Sequence, residues 1–432
     1  MRYMRINFKG KKYKIYYVKL LIVLGIILAL ILAILVGKNM IFGTCNYAFK
    51  ACSVKNDQII DKLIQTKNEE VVEIKDYYFY GENLVLSNKV IDVPNYTNDL
   101  AKAKIVLVNI CNEKEVVFDT GSEVDNFIKV NKLPVGLYQL YVDKDGKRSQ
   151  IISSEKISDG IYTVTRNGKN NFVQILSDEK LFVDENQKEA LDKKYVFIKV
   201  EEKALPNDVF DIVIDPNSSY DYQGQYDDKL ININGLVEKE QNLLMAKSVK
   251  TLLEKDGYKV KLTSSNLSEE LNLYGADGRI HRSYGSHAKY YVEIKFNYSD
   301  NVNTRGTQVI RSHYASEAFS GGVLKEILTD TKLINSGNRG SGTTDGVLAY
   351  GLQSGYDTSL SIRETGGTGL QAGKFSSYTK EQNGAFAQTR LGLNSISIEY
   401  IYITNSEDSK IWQAENEKIA VATAKGIKAY LQ

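Results

Sequence analysis

The hydrophobic pattern divides the chain into three regimes. Residues 20–37, LLIVLGIILALILAILVG, are apolar and uncharged throughout, bracketed by Lys19 and Lys38. That length matches a bilayer core. From about 70 to 205 short alternating runs follow one another: KIVLVNIC, EVVFDT, NFIKVNKL and LYQLYVDKDGK. DKDG is a hairpin signal, and a second hairpin is expected over 160–176 around NGKN. These runs predict a small β-sandwich, with the charged stretch 180–205 linking onward. From 208 the runs change character. DVFDIVIDP is continuously apolar, as a buried parallel strand is. QNLLMAKSVKTLLEKDG places Met245, Val249, Leu252 and Leu253 on a helical stripe that Gly257 stops. YKVKLT, YYVEIKFN and GTQVIRSHY alternate with helical stretches. EKIAVATAKGIKAYL is a helix with Ala420, Ala424, Ile427 and Leu431 on one side. The pattern predicts an α/β fold: a mainly parallel sheet flanked by helices in the C-terminal half, preceded by a β-sandwich-like region and an N-terminal transmembrane helix.

Charge sets the orientation. The first 19 residues carry seven Arg or Lys and no acid. By the positive-inside rule they form a cytoplasmic tail, and everything after the span is extracytoplasmic. The expected localisation is the cell membrane, single-pass. A cleaved signal peptide is the rival, but no small-x-small site follows the apolar run and no lipobox precedes Cys45. The domain reading is therefore 1–19 tail, 20–37 span, 38–69 stalk, 70–205 β-rich region and 206–432 α/β domain. A net charge of +2 in 432 residues provides no basic field for nucleic acid. Three cysteines make no disulfide framework. In a helix Cys45 and Cys52 stand roughly 10 Å apart, too far to bond, although a hairpin or an intermolecular bridge stays open. Cys111 reads as a buried strand residue.

Residues 335–390, with SGNRGSGTTDG, ETGGTGLQAG and QNGAF, interrupt the α/β rhythm as a Gly-rich insertion. Around it five pieces stand in order. They are DIVIDPNSS; GLVEKEQNL with DGYKVKLT; GRIHRSYGSHAKYYVEIKFN; TRGTQVI; and SISIEYIYITNSED. Together they resemble the zinc-dependent N-acetylmuramoyl-L-alanine amidases of the amidase-3 type, over roughly residues 208–432. That family hydrolyses the amide between N-acetylmuramic acid and L-alanine. Its zinc is held by His, Glu and His, and a second glutamate is the general base.

Carried over by position, the resemblance places the metal ligands at Asn217, Glu238 and Lys295 and the general base at Glu399. Both carboxylates match and both histidines are replaced. Asn is a poor zinc ligand, and lysine is normally a cation that repels a metal. Only His281, His287 and His313 are available as substitutes; the first two are expected on the helix before YYVEIKFN, facing different ways. Asp215, near the first ligand position, leaves open a carboxylate site for another ion. Lys295 then reads as an ammonium in the place of the missing metal charge, neutralising Glu238 and Glu399, with Asn217 donating hydrogen bonds. The alternative is a simply exposed lysine with the carboxylates apart. Arg279, Arg305 and Gly306 read as structural, and Tyr400 and Tyr402 as bulky groups reshaping the groove. The resemblance implies a membrane-anchored cell-wall protein that recognises peptidoglycan or a muropeptide, or docks on another membrane or cell-wall protein, with no cofactor. The alternative is an active amidase with zinc in an altered site. A third reading is a structural scaffold.

Overall fold

The computed structural model describes residues 3–8, 11–16, 26, 70–89, 98–110, 112–119, 128–144, 146–164, 170–177, 193–217, 232–269, 271, 277–312, 316–339, 343–350 and 390–432. In the basic amino-terminal stretch β1 (Tyr3–Phe8) pairs antiparallel with β2 (Lys11–Tyr16). Among the described residues no helix is long and apolar enough to cross a membrane. Residues 20–37, where the span is expected, lie outside them except for Ile26, as do the stalk, all three cysteines, His313 and residues 351–389 of the insertion.

Residues Glu69–Asn109, Glu113–Asp178 and Lys193–Gln432 form one compact unit. Its first half holds β3 (Val71–Ile74), β4 (Asp76–Tyr80), β5 (Asn83–Ser87), β6 (Lys104–Asn109), β7 (Glu115–Phe118) and β8 (Ile128–Lys129). It continues with β9 (Gly136–Lys144), β10 (Lys147–Ser153), β11 (Ser158–Tyr162), β12 (Asn171–Leu176), β13 (Lys194–Tyr195) and β14 (Phe197–Glu202). Both expected hairpins form: β9 with β10, where Gly146 takes φ +77° in the turn, and β11 with β12. Nine of these strands make one sheet, while β4, β5 and β8 belong to a second. Residues of both sheets share one apolar core, from Phe79 and Leu84 to Leu140, Val173 and Ile198. The expected linker 180–205 is corrected in its second part. Phe197, Ile198 and Val200 are buried, and β14 pairs with both β9 and β12. The charges of this run sit at the more exposed Lys199, Glu201 and Glu202, so a charged composition hid a central strand.

The second half contains β15 (Ile212–Pro216), α1 (Glu238–Lys255), β16 (Val260–Leu262), α2 (Arg279–Tyr284), β17 (Tyr290–Asn297) and β18 (Gln308–Ser312). It ends with α3 (Ala318–Asp330), β19 (Val347–Tyr350), β20 (Leu391–Gly392), β21 (Asn394–Tyr402) and α4 (Ser406–Leu431). The six-stranded sheet runs β16-β15-β17-β21-β18-β19, parallel everywhere except between β18 and β21. The α/β expectation is met. Ile212, Ile214, Val292, Ile294, Ile396 and Ile398 share a core with Met245, Val249 and Leu253 of α1 and with Ile419 and Ile427 of α4. Burying such a set supplies the main stabilisation of the half. Helix α4 begins earlier than its apolar stripe, because Asn405 caps it, accepting from the N–H groups of Glu407 and Asp408.

The two halves share structure. Strand β20 pairs parallel with β4 and so completes the four-stranded sheet of the first half. Arg390 reaches Asp76 at 3.2 Å and lies over the Tyr77 ring. The buried Glu82 carboxylate accepts from the Tyr290 hydroxyl at 2.9 Å, the Asn131 amide at 2.7 Å and the Val164 N–H at 2.5 Å.

Candidate functional site

The site forms at the carboxyl ends of β15, β17 and β21, where open parallel sheets hold their ligands. Period-two alternation gives β17 two faces. Tyr290, Val292, Ile294 and Phe296 enter the core, while Glu293 and Lys295 point the other way. Sheet register sets Lys295 opposite Glu399 and Glu293 opposite Ser397 and Asp215. Just beyond, the β17–β21 pairing shifts register between Lys295 and Asn297, a bulge beside the site.

Lys295 Nζ stands 2.9 Å from Glu399 Oε1, and its side chain is only 11% exposed. Burial pulls its pKa down, but Glu399, Glu293 and Glu238 together push it up, and the net direction is upward. The second Glu399 oxygen accepts from Asn297 Nδ2 at 2.7 Å and Gln308 Nε2 at 2.5 Å. Gln308 in turn accepts from Asn338, which also donates to the Tyr402 hydroxyl. Glu238, the first residue of α1, accepts from the Phe296 N–H at 2.8 Å through Oε1, while its Oε2 is buried and without a hydrogen-bond partner. Burial lifts the Glu238 carboxyl to about 7, against the opposing pull of that N–H and of Lys295. Asn242, one turn along α1, links Glu238 to the backbone carbonyl of Asn217. Asn217 Nδ2 donates to Glu293 at 2.9 Å.

All four expected positions therefore converge, and the exposed-lysine alternative is contradicted. The sequence pattern passed over Glu293, Asn297 and Gln308. Glu293 is fully buried and accepts from Asn217, Ser397 and Arg279. Burial raises its pKa against the pull of Lys295 and Arg279. Its signal was available: an acid on the second face of a strand flanked by parallel partners on both sides.

Arg279 is structural as expected, but deeper than a helix-surface role. It is buried and bridges Asp215 at 2.7 Å and Glu293 at 3.3 Å. Asp215 also accepts from Thr263 and Tyr291, so its oxygens serve this network. His281 and His287 do not approach the site. They line a cavity of about 270 Å³ with Lys289, Gly81 and Leu393 at the opposite, amino end of β17. Five residues of strand put that end about 17 Å away. His287 lies beyond the end of α2, with φ +52°, and not on the helix as expected. Tyr400 is corrected too: it is buried in the core against Trp412 and bonds Thr423, so it reshapes no groove. Arg305 and Gly306 do serve local pairing, Arg305 Nε and the Gly306 N–H both donating to Asp408.

The donor set does not fit catalytic zinc. Such a site takes three protein ligands and an open position. Here one position is an ammonium in a buried ion pair and another is an amide whose nitrogen is committed to Glu293. Among the described residues no group of three His, Cys, Asp or Glu is arranged to hold a metal ion. The orphaned Glu238 Oε2 remains as a ligand-like feature.

Solved structures of amidases are similar to part of this chain. The catalytic domain of CwlV, an N-acetylmuramoyl-L-alanine amidase from Bacillus (Paenibacillus) polymyxa var. colistinus, is 20% identical. It covers 52% of this chain and 98% of its own, with a TM-score of 0.35. AmiC2 of Nostoc punctiforme, an N-acetylmuramoyl-L-alanine amidase, is 20% identical over 53% of this chain and 99% of its own, with a TM-score of 0.35. Ami1 from Mycobacterium smegmatis, an N-acetylmuramyl-L-alanine amidase, is 14% identical over 52% and 99%, with a TM-score of 0.35. No curated protein matches the chain. The family model of the N-acetylmuramoyl-L-alanine amidases, Amidase_3, matches residues 212–429, half of the sequence, and the chain belongs to that family.

Proposed function

We propose that this is a membrane-anchored, extracytoplasmic cell-wall protein whose amidase-like domain binds peptidoglycan or a muropeptide without hydrolysing it, as a recognition or regulatory module. The observation that carries this reading is the Lys295–Glu399 pair. The position of the family's general base is held at both oxygens, by Lys295 on one and by Asn297 and Gln308 on the other. Three donors on one carboxylate leave little room for a reacting proton to reach it. Around the pair, Asn217, Asn297, Gln308 and Asn338 supply neutral amides, groups suited to hydrogen-bonding sugar hydroxyls and peptide amides. Family membership supports the peptidoglycan assignment. The apolar run 20–37 behind a basic tail supports the anchor, with 1–19 cytoplasmic, 38–69 as stalk and 70–432 outside. Within 70–432 the β-rich region acts as a fixed support of the 206–432 domain. Co-sedimentation of the purified full chain with sacculi, with release of new amino termini measured in parallel, tests the reading. Binding without release is expected. Release would restore an amidase with an altered metal site, and absence of binding would leave a scaffold for another cell-wall protein.

A further inference from the structure

Four buried acids, Asp215, Glu238, Glu293 and Glu399, meet two cations, Arg279 and Lys295, at one end of the six-stranded sheet. Arg279 serves Asp215 and Glu293 from the α2 side. Glu399 has Lys295 as its cation, and the same ammonium lies in the field of Glu238 and Glu293. Buried carboxylates that share one field are relieved by a cation among them or by a proton on one of them. Two acceptors one helical turn apart on α1, Glu238 Oε2 and Asn242 Oδ1, are buried without partners. Orphaned acceptors beside a charged cluster mark a place shaped for a further donor or cation.

We propose that the Lys295 ammonium has closed a metal centre: it supplies the charge that a divalent ion would supply between Glu238 and Glu399, and imidazoles at positions 217 and 295 reopen the site to zinc. The proposal rests on reading the domain as an amidase fold without catalytic zinc, and it deepens that reading. It makes the histidine losses interdependent. A lysine at 295 satisfies the carboxylates only while no metal competes for them, and an amide at 217 is harmless only once the metal is gone. Neither single histidine restores three ligands, because Lys295 Nζ or Asn217 Nδ2 stays in the site.

The test is zinc titration of the purified full chain by calorimetry, with zinc retained after desalting measured by mass spectrometry. Wild type is expected to retain no stoichiometric zinc. The double variant Asn217→His with Lys295→His is expected to retain about one zinc per chain, bound by two imidazoles and Glu238. A wild-type chain that holds one zinc with Lys295 intact overturns the proposal, and so does a folded double variant that takes none. Should the double variant fail to fold, Lys295→Gln decides. Its unfolding midpoint is expected to fall, because the carboxylates lose their cation, and adding Glu399→Gln is expected to restore most of the fall. No fall, or a fall that Glu399→Gln does not relieve, contradicts the proposal. Sacculus binding is read separately. Its loss alone sinks the recognition function, and stoichiometric zinc without hydrolysis sinks only the closed metal centre.

Discussion

Lys295 and Glu399 are register partners on adjacent parallel strands, and their side chains meet at 2.9 Å in a nearly solvent-free site. The pair is thus placed by the sheet itself: neighbours in register on one face of β17 and β21 have no other direction to point. A buried pair of this kind adds little net stability over an apolar replacement, yet costs heavily when one member is removed.

Lys295→Met removes the cation and leaves Glu399 and Glu238 facing each other. The expected loss is about 3 kcal/mol in urea unfolding. Adding Glu399→Gln removes the unpaired charge while keeping an acceptor for Asn297 and Gln308. Most of the loss is then expected to return in the double variant. A strictly additive double variant would contradict the pairing.

Glu238 gives stability a pH dependence. Its carboxyl titrates near 7 in the folded chain, against an ordinary 4.5, because burial disfavours the charged form. A pKa raised on folding means that the proton favours the folded state. The contribution is complete below about pH 4.5 and is lost as pH rises through about 7. Its full size is roughly 3 kcal/mol. Glu238→Gln keeps an acceptor for the Phe296 N–H and carries no charge. The variant is expected to be more stable than wild type at pH 8, with the gap closing toward pH 4.5. An unchanged gap across that range would contradict the assignment.

Gly306 stands at φ +108°, with a built Cβ only 2.7 Å from the Ser336 backbone, while its N–H donates to Asp408 at 2.8 Å. Gly306→Ala therefore meets both a disfavoured conformation and a backbone clash. A loss of about 2 kcal/mol is expected by chemical denaturation.

The seam between the halves predicts cooperative unfolding. Glu82 holds Tyr290, Asn131 and Val164 together, and β20 pairs across the boundary with β4. Glu82→Ala strands buried donors on both sides and is expected to destabilise the whole unit by about 3 kcal/mol. Hydrogen exchange is expected to show protection falling in β4 and β21 together. A loss confined to residues 70–205 would show that the halves fold independently.

Much of this architecture was legible in the chain. DIVIDP announces a buried strand because parallel strands are covered on both faces, YYVEIKFN announces a strand by its alternation, and Met245 with Val249 announces the inward side of α1. The convergence of Asn217, Glu238, Lys295 and Glu399 followed from matching them to a family's order of motifs. Other elements left little trace. Strand β20 is two residues long, and its meaning comes entirely from β4, three hundred residues earlier in the chain. Strand β14 was masked by Lys199, Glu201 and Glu202, although Phe197, Ile198 and Val200 are the residues that place it. Glu293 escaped because alternation along β17 sorts residues by face and says nothing of whether the polar face is covered. Tyr400 was assigned to the groove by its neighbour in sequence, but successive residues of a strand face opposite ways: Glu399 enters the site and Tyr400 the core.

The measurement that bears most directly on the central claim is hydrolysis of purified sacculi by the full chain with zinc supplied, scored as new amino termini. No release by wild type is predicted, with Lys295 paired to Glu399 and no three-ligand zinc site among the described residues. Release that depends on added zinc and is abolished by Glu399→Gln would contradict the account and return the domain to the active amidases.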